Sequence, residues 1–275
     1  MTAAQNRIES RFGALAAEGR SGLVTFITAG DPAPDATLAF MHALVRGGAD
    51  VIELGVPFSD PMADGPTIQR ASERALAKGM NLRKVLALVE AFRATDQRTP
   101  VVLMGYLNPV ERMGYDDFAK AAAAVGADGV LTVDLPPEEA GHLHQAVRSA
   151  GLSQIFLLAP TSSPSRVEAV RRFANGFVYY VSVKGVTGDK AVEVTEITAR
   201  VADLKAATGL PIGVGFGVRT PASAAAVARD SDAVIVGSAL VEIIEQAAST
   251  ADGAAALEHF VRGLREAMDD TRAAA

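Results

Sequence analysis

The segment IELGVPFSDPMADGPT, from Ile52 to Thr67, joins a short apolar run to a loop rich in proline and glycine. The run Val51–Leu54 predicts a buried strand, and Glu53 interrupts its apolar pattern. Proline restricts φ and glycine permits tight turns, so the following residues predict a stiff loop, which carries Asp64. Because a strand end and a neighbouring loop can bring two carboxylates together, Glu53 and Asp64 are candidate catalytic residues. An ion-paired glutamate and a plain turn aspartate explain the pattern equally well at this point.

Similar apolar runs alternate with longer, Ala-rich amphipathic stretches along the whole chain. The runs that predict strands are Leu23–Thr28, Val51–Leu54, Val101–Met104, Gly129–Val133, Gln154–Leu158, Phe177–Val181, Ile212–Val214 and Ala233–Val236. The stretches that predict helices are Asp35–Arg46, Asn81–Arg93, Tyr115–Val125, Pro137–Ala150, Ser165–Phe173, Val192–Thr208, Pro221–Arg229 and Val241–Ala248. This alternation favours an α/β fold, a (β/α)8 TIM barrel, over an open sheet.

Both ends of the chain carry an additional helical pattern. Ile8, Phe12 and Leu15 have the spacing of one helix face, which predicts an extra N-terminal helix that covers the N-terminal face of the barrel. The segment Ala254–Met268 predicts an additional C-terminal helix packed outside the barrel. No Pro/Ser linker or block of charge divides the chain, so residues 1–275 are predicted to form a single barrel domain.

The composition excludes several classes of function. The chain has 275 residues and a net charge of −6 with no basic block, which argues against a nucleic-acid partner. It contains no cysteine, which excludes disulfides and thiolate metal sites and fits a cytoplasmic location. No apolar run approaches the roughly 20 residues that a membrane span needs. The first twelve residues do not resemble a secretory signal.

In a (β/α)8 barrel, chemistry belongs at the carboxyl ends of the strands, and the unusual residues of this chain follow that rule. Glu53 and Asp64 follow the second predicted strand, and Asn108 lies in the predicted loop after the third. Tyr179 and Tyr180 lie in the sixth. All of these residues are therefore expected at one face of the barrel.

Three glycine-rich turns follow the last three predicted strands, at Gly185–Gly188, Gly215–Gly217 and Gly237-Ser238. Glycine lets backbone N–H groups approach an anion closely, and a helix N-terminus favours negative charge. A single turn of this kind is weak evidence, but three that converge predict a phosphate site. The residues Phe26, Met104 and Phe216, at strand ends, are candidates for an apolar pocket, although each alone is more typical of plain core.

Metal chemistry and nucleophilic catalysis are not indicated. The four histidines lack ligand spacing, and the pair His142 and His144 lies on a predicted surface helix, where residues two apart diverge. No metal ligand is therefore assigned. There is no nucleophile elbow, Walker loop or strand-linked G-x-G-x-x-G.

These residues occur in motifs that resemble the tryptophan synthase α subunit family from Leu23 to about Leu240. The motifs are TFITAGDP (Thr25–Pro32), ELGVPFSDPMADGPTIQ (Glu53–Gln69), MGYLNP (Met104–Pro109), DGVLTVDLPPEE (Asp128–Glu139), KGVTG (Lys184–Gly188), GFGV (Gly215–Val218) and GSAL (Gly237–Leu240). The resemblance implies a (β/α)8 barrel lyase that cleaves indole-3-glycerol phosphate to indole and glyceraldehyde 3-phosphate.

The resemblance also implies roles for individual residues. Glu53 would be the general acid at indole C3 and the general base at the glycerol hydroxyl, and Asp64 would stabilise the cationic indolenine. Tyr179 matches a pocket tyrosine, and Thr187 matches a threonine that holds a loop closed over Asp64. The substrate-binding positions implied for the phosphate turns are Gly188, Phe216, Gly217, Gly237 and Ser238. Those implied for contact with the indole ring are Phe26 and Met104.

The resemblance further implies that this chain holds no cofactor. Indole would pass to a β subunit, which carries pyridoxal phosphate, in an α2β2 heterotetramer. Three alternatives stay open: another phosphate-binding barrel enzyme, a stand-alone indole-releasing lyase, and a weakly active subunit that mainly activates its partner. The first would not be expected to share the motif that contains Glu53 and Asp64, and the third is disfavoured because both carboxylates are intact.

Overall fold

A computed structural model describes residues 6–182, 190–215 and 217–273, with the side chains of 190–196 and 271–273 left out. Eight parallel strands form a closed barrel in sequence order, with the last strand paired to the first. The strands are β1 (Gly22–Thr28), β2 (Val51–Gly55), β3 (Val101–Gly105), β4 (Gly129–Thr132), β5 (Ser153–Leu158), β6 (Val178–Val181), β7 (Ile212–Gly215) and β8 (Ala233–Val236). The predicted fold class is confirmed, and each predicted strand matches an observed one within about a residue at either end.

Helices connect the strands and surround the barrel. They are α1 (Arg7–Ala17), α2 (Ala36–Gly47), α3 (Pro66–Ala77), α4 (Leu82–Arg93), α5 (Leu107–Met113), α6 (Tyr115–Ala124), α7 (Gly141–Ser149), α8 (Pro164–Phe173), α9 (Lys190–Thr208), α10 (Pro221–Ala228), α11 (Ser238–Gln246) and α12 (Thr250–Ala273). Among the described residues, no helix is both long and apolar enough to cross a membrane.

Three details of the helical prediction were wrong. The helix predicted over Pro137–Ala150 is divided, because Pro137–Glu139 forms a 3-10 turn and α7 begins only at Gly141. Helix α3 was not predicted, since the residues that it buries, Ala71, Ser72 and Ala75, are small and give no run of large apolar side chains. Asn108 lies inside the short helix α5 and not in a loop.

The N-terminal helix closes the bottom of the barrel, as predicted. Ile8 and Phe12 of α1 pack in one cluster with inward-facing strand residues such as Val51 and Val102. The ring of Phe12 lies 5.4 Å from that of Phe177. Because the interior is filled from below, an opening for a ligand is left at the carboxyl ends of the strands. At the other end of the chain, α12 packs against α2 and α10 on the outside.

A recurring aspartate joins neighbouring strands at the closed end. Asp50 accepts a hydrogen bond from the N–H of Leu23 at 2.7 Å, and Asp128 accepts one from Val101 at 2.8 Å. Asp232 accepts a third from Ile212 at 2.9 Å. In each case the aspartate immediately precedes one strand and caps the start of the strand before it. These three aspartates thus have a structural role and lie away from the open end of the barrel.

Candidate active site

Glu53 lies in the middle of β2 and faces the barrel interior, two residues beyond the inward-facing Val51. Its side chain is 0% exposed, and neither carboxylate oxygen has a hydrogen-bond partner among the described residues. Burial raises the pKa of Glu53 to about 8, because a charged carboxylate loses its hydration there without compensation. Burial therefore favours the protonated form of this carboxyl group, which can donate a proton.

Asp64 lies on the loop between β2 and α3, where it is partly buried. Its backbone N–H donates to the carbonyl oxygen of Pro61 at 3.0 Å, and its own carbonyl oxygen accepts from Gln69 at 2.9 Å. Burial raises the pKa of Asp64, while a hydrogen bond from Tyr106 opposes the rise. Hydrogen bonds thus fix the loop backbone at both the N–H and the carbonyl group of Asp64.

Tyr106 is a residue of this site that the sequence analysis did not single out. It follows β3 directly and is the N-cap residue of α5. Its hydroxyl donates to Asp64 Oδ2 at 3.0 Å and accepts from the N–H of Ala63 at 2.9 Å. The available signal was a tyrosine immediately after a predicted strand, within the MGYLNP motif.

Tyr179 interacts electrostatically with the carboxylates of Glu53 and Asp64. It lies in β6 and packs with the interior cluster, whereas Tyr180 packs between the strands and the helices. Burial raises the pKa of Tyr179, and the charges of Glu53 and Asp64 raise it further. A Cβ atom on Gly215 of the adjacent β7 would lie 2.6 Å from Tyr179 Cε1, so glycine there makes room for the phenol ring.

An apolar patch lies beside these polar groups. Phe26 and Met104 pack in one cluster with Ile68, Ala71 and Val241. Phe26 pairs in register with Glu53 on the neighbouring strand. Phe26 and Met104 also line a small cleft whose wall includes Asp64 and Tyr106. The site therefore offers a flat aromatic surface within reach of both an acid and a carboxylate.

Two of the predicted phosphate turns lie at the carboxyl ends of the adjacent strands β7 and β8. Gly217 has a φ of 51°, a left-handed conformation that favours glycine, and no described residue lies within 4 Å of the position that a Cβ atom would take there. Gly237 precedes α11, which begins at Ser238 and whose N-terminus has no side-chain cap. Backbone N–H groups at such an uncapped helix start favour a bound anion.

Several predicted site residues cannot be placed. Thr187, Gly188 and Phe216 lie outside the described residues. The structure brings together the other predicted residues, which are Phe26, Glu53, Asp64, Met104, Tyr179, Gly217, Gly237 and Ser238, at the open end of the barrel. Their individual roles stay predictions. Among the residues the structure describes, no group of three or more His, Cys, Asp or Glu side chains could hold a metal ion.

The fold and the site define a (β/α)8 barrel that carries a buried carboxyl group, an apolar patch and two glycine turns toward the carboxyl ends of its strands. The family model described as tryptophan synthase alpha chain matches residues 12–269. The chain therefore belongs to the tryptophan synthase alpha chain family, which confirms the resemblance seen in its motifs.

The sequences of individual relatives align with this chain along nearly its whole length. The tryptophan synthase alpha chain of Burkholderia thailandensis is 59% identical over 264 residues, which cover 96% of this chain and 97% of the relative. That of Laribacter hongkongensis is 58% identical, with 96% and 99% covered. The crystal structure of the alpha subunit from Legionella pneumophila superposes with a TM-score of 0.91 at 47% identity, over 97% of this chain and 100% of that one.

A structure of tryptophan synthase from Mycobacterium tuberculosis, in an open form, matches with a TM-score of 0.85 at 39% identity, covering 96% of this chain and 98% of that one.

Family membership confirms the predicted class of enzyme: the chain is a lyase that cleaves indole-3-glycerol phosphate in tryptophan biosynthesis. A different kind of phosphate-binding barrel is thereby excluded.

Proposed function

We propose that Glu53 and Asp64 carry out the cleavage of indole-3-glycerol phosphate at the open end of the barrel. Glu53, protonated at neutral pH, donates its proton to indole C3, which makes the ring a cationic indolenine. Asp64 offsets that positive charge beside the ring N–H. The single observation that carries this assignment is the burial of Glu53, whose carboxylate oxygens have no partner among the described residues.

The second half of the reaction returns the proton. The Glu53 carboxylate, now charged, removes the hydroxyl proton of the glycerol carbon attached to C3. A carbon–oxygen double bond forms as the bond from that carbon to C3 breaks, and the electron pair restores the aromatic indole. The products are indole and glyceraldehyde 3-phosphate, and Glu53 is again protonated. No redox step or external acid is needed.

The substrate's other parts fit the neighbouring residues. Phe26 and Met104 supply an apolar surface for the indole ring, and their shared cluster supports that assignment. The phosphate is assigned to the N–H groups near Gly217, Gly237 and Ser238, because an uncapped helix start favours an anion. The charges of both carboxylates raise the pKa of Tyr179, so this residue is assigned to the reacting end of the pocket.

The chain is also proposed to act with a β subunit in an α2β2 assembly, in which the β subunit carries pyridoxal phosphate. The loop with Pro57 and Asp60 is the docking segment implied by the family resemblance. Met62 on this loop is 87% exposed and is the exposed large apolar side chain among the described residues. A β subunit that docks on this loop would cover the Met62 side chain. A biosynthetic role of this kind belongs in the cytoplasm.

Indole release by the purified chain, measured with and without a β subunit, tests the function. The chain alone is expected to release indole slowly, and an added β subunit is expected to accelerate release ten- to hundredfold. That activation requires about 1.4–2.7 kcal/mol of differential binding, which is within ordinary allosteric coupling. A flat titration despite complex formation would instead identify a self-sufficient lyase.

A further inference from the structure

Tyr106 contacts the Asp64 loop at more than one place. Its hydroxyl has one hydrogen to donate and lone pairs to accept, and it uses both functions, toward Asp64 and Ala63 respectively. Its ring stacks on Phe58 near the start of the same loop, with centroids 5.0 Å apart and planes 27° apart. One buried side chain on the barrel wall therefore holds two separate parts of the loop.

The support beneath Tyr106 is itself rigid. Tyr106 is 4% exposed and extended at the end of β3. The next residue, Leu107, donates its N–H to Asp134 at 2.8 Å, which fixes the start of α5. By contrast, the hydrogen bonds that Asp64 makes to Pro61 and Gln69 involve its backbone atoms alone. Among the described contacts, Tyr106 is the group that orients the Asp64 carboxylate.

We propose that Tyr106 is a positioning residue for the reaction: its hydroxyl orients the Asp64 carboxylate toward the indole ring and ties the loop to the barrel wall. This inference rests on the proposed role of Asp64. It explains how a carboxylate on an otherwise exposed loop reaches the precision that charge stabilisation requires. It also accounts for the two hydrogen bonds that meet at one hydroxyl.

The hydroxyl also influences ionisation at the site. The titratable groups that interact with Asp64 in the described structure are Tyr106, from the start of α5, and Tyr179, from β6, and Tyr179 also interacts with Glu53. Asp134, after β4, faces Tyr106. The Tyr106 hydrogen bond lowers the pKa of Asp64 against the effect of burial. Its removal should therefore raise the pKa of Asp64, so that this carboxylate becomes protonated at a higher pH.

The test compares Tyr106→Phe with Tyr115→Phe. Phenylalanine at 106 keeps the ring that stacks on Phe58 and removes only the hydroxyl. Tyr115 is a matched control, because its hydroxyl also contacts a carboxylate, Glu111 at 3.5 Å, but at an exposed position. Indole release from indole-3-glycerol phosphate is measured across pH for both variants and for the unmodified chain with its β subunit, and inorganic phosphate affinity is measured alongside.

We expect Tyr106→Phe to lower kcat by about tenfold or more, since hydrogen bonds to charged groups are among the stronger ones. The acidic limb of its pH profile should move to higher pH, while phosphate affinity and the melting temperature stay near those of the unmodified chain. Tyr115→Phe should match the unmodified chain throughout. In an Asp64→Asn background, Tyr106→Phe should have little further effect on kcat, because the two changes act on one interaction.

Unchanged kcat in Tyr106→Phe would overturn the proposal, and so would a loss of kcat without any movement of the acidic limb. A full additional loss in the Asp64→Asn background would overturn it as well. These outcomes differ from a failure of the proposed function, in which the unmodified chain releases no indole or Asp64→Asn retains full activity.

Discussion

Phe26 and Gly55 form a tightly packed pair across strands β1 and β2. A Cβ atom on Gly55 would lie 2.6 Å from Phe26 Cζ and 3.3 Å from the carbonyl oxygen of Ile27. The missing side chain of Gly55 therefore lets the Phe26 ring lie against the strand end, where it forms part of the apolar patch. The carbonyl oxygen of Ile27 is part of the backbone of β1 and cannot move aside. Any side chain at position 55 must therefore displace the Phe26 ring.

Gly55→Ala is expected to weaken binding of indole-3-glycerol phosphate, because the displaced ring occupies space assigned to the indole. Overpacking of this kind should also lower the free energy of unfolding by about 1–3 kcal/mol. Steady-state KM and chemical denaturation measure the two effects. Gly141→Ala is the control, since a side chain there meets nothing within 4 Å and the position lies on the outer helix α7. Equal KM values in the two variants would contradict the assignment of Phe26.

Cleavage should decline on the alkaline side with a midpoint near pH 8. The proposed first step uses protonated Glu53, whose pKa burial raises to about 8, so the active form is lost as pH rises through that value. The measurement is kcat/KM from pH 6 to 10. Glu53→Gln should reduce turnover by roughly 10²-fold or more while phosphate affinity persists. An alkaline limb that survives unchanged in the residual activity of Glu53→Gln would assign the titration to another group.

The same pKa shift predicts a pH-dependent effect on stability. The folded-state pKa of Glu53 lies above its usual value of 4.5, so folding favours the protonated form. The stabilising contribution of Glu53 to the free energy of unfolding is fully present below about pH 4.5 and is lost as pH rises through about 8. Glutamine carries no charge at any pH. Glu53→Gln should therefore be more stable than the unmodified chain at pH 9 by a few kcal/mol, and the difference should shrink toward pH 5. Denaturant unfolding at both pH values checks this, and a pH-independent difference would contradict it.

Gly217→Val is expected to raise KM strongly for indole-3-glycerol phosphate, because a side chain at a phosphate turn blocks close approach of the anion. Gly209→Val is a closely matched control. Gly209 has a φ of 70°, Gly217 has one of 51°, and a Cβ atom added at either position would have no neighbour within 4 Å. Both variants should lose stability from backbone strain, but only Gly217→Val should lose affinity for phosphate. If a dephosphorylated analogue loses as much affinity, the assignment of the phosphate turn is wrong.

The strands were predictable because each is an apolar run covered on both faces. In β2, for example, Val51 packs inside the barrel and Ile52 packs outside, so both alternate faces are apolar and the run stands out locally. Helix α3 escaped prediction because Ala71 and Ala75, although fully buried, are too small to stand out as an apolar run. Its contacts with β1 and α11 show that this small-residue face is nevertheless a packing surface.

Glu53 was selected as a candidate because an acid interrupted an apolar strand, and Asp64 because it followed in a stiff loop. The sequence by itself thus determined the alternation of strands and helices, the family and the main carboxylate candidates, since these depend on local periodicity and ordered motifs. Only the tertiary structure decided that the pKa of Glu53 is raised, because desolvation depends on every group that surrounds it. It likewise decided that Tyr106 holds Asp64, 42 residues earlier in the chain. The parallel pairing of β2 with β3 creates that contact by placing the ends of the two strands side by side, a proximity that spacing along the chain does not encode.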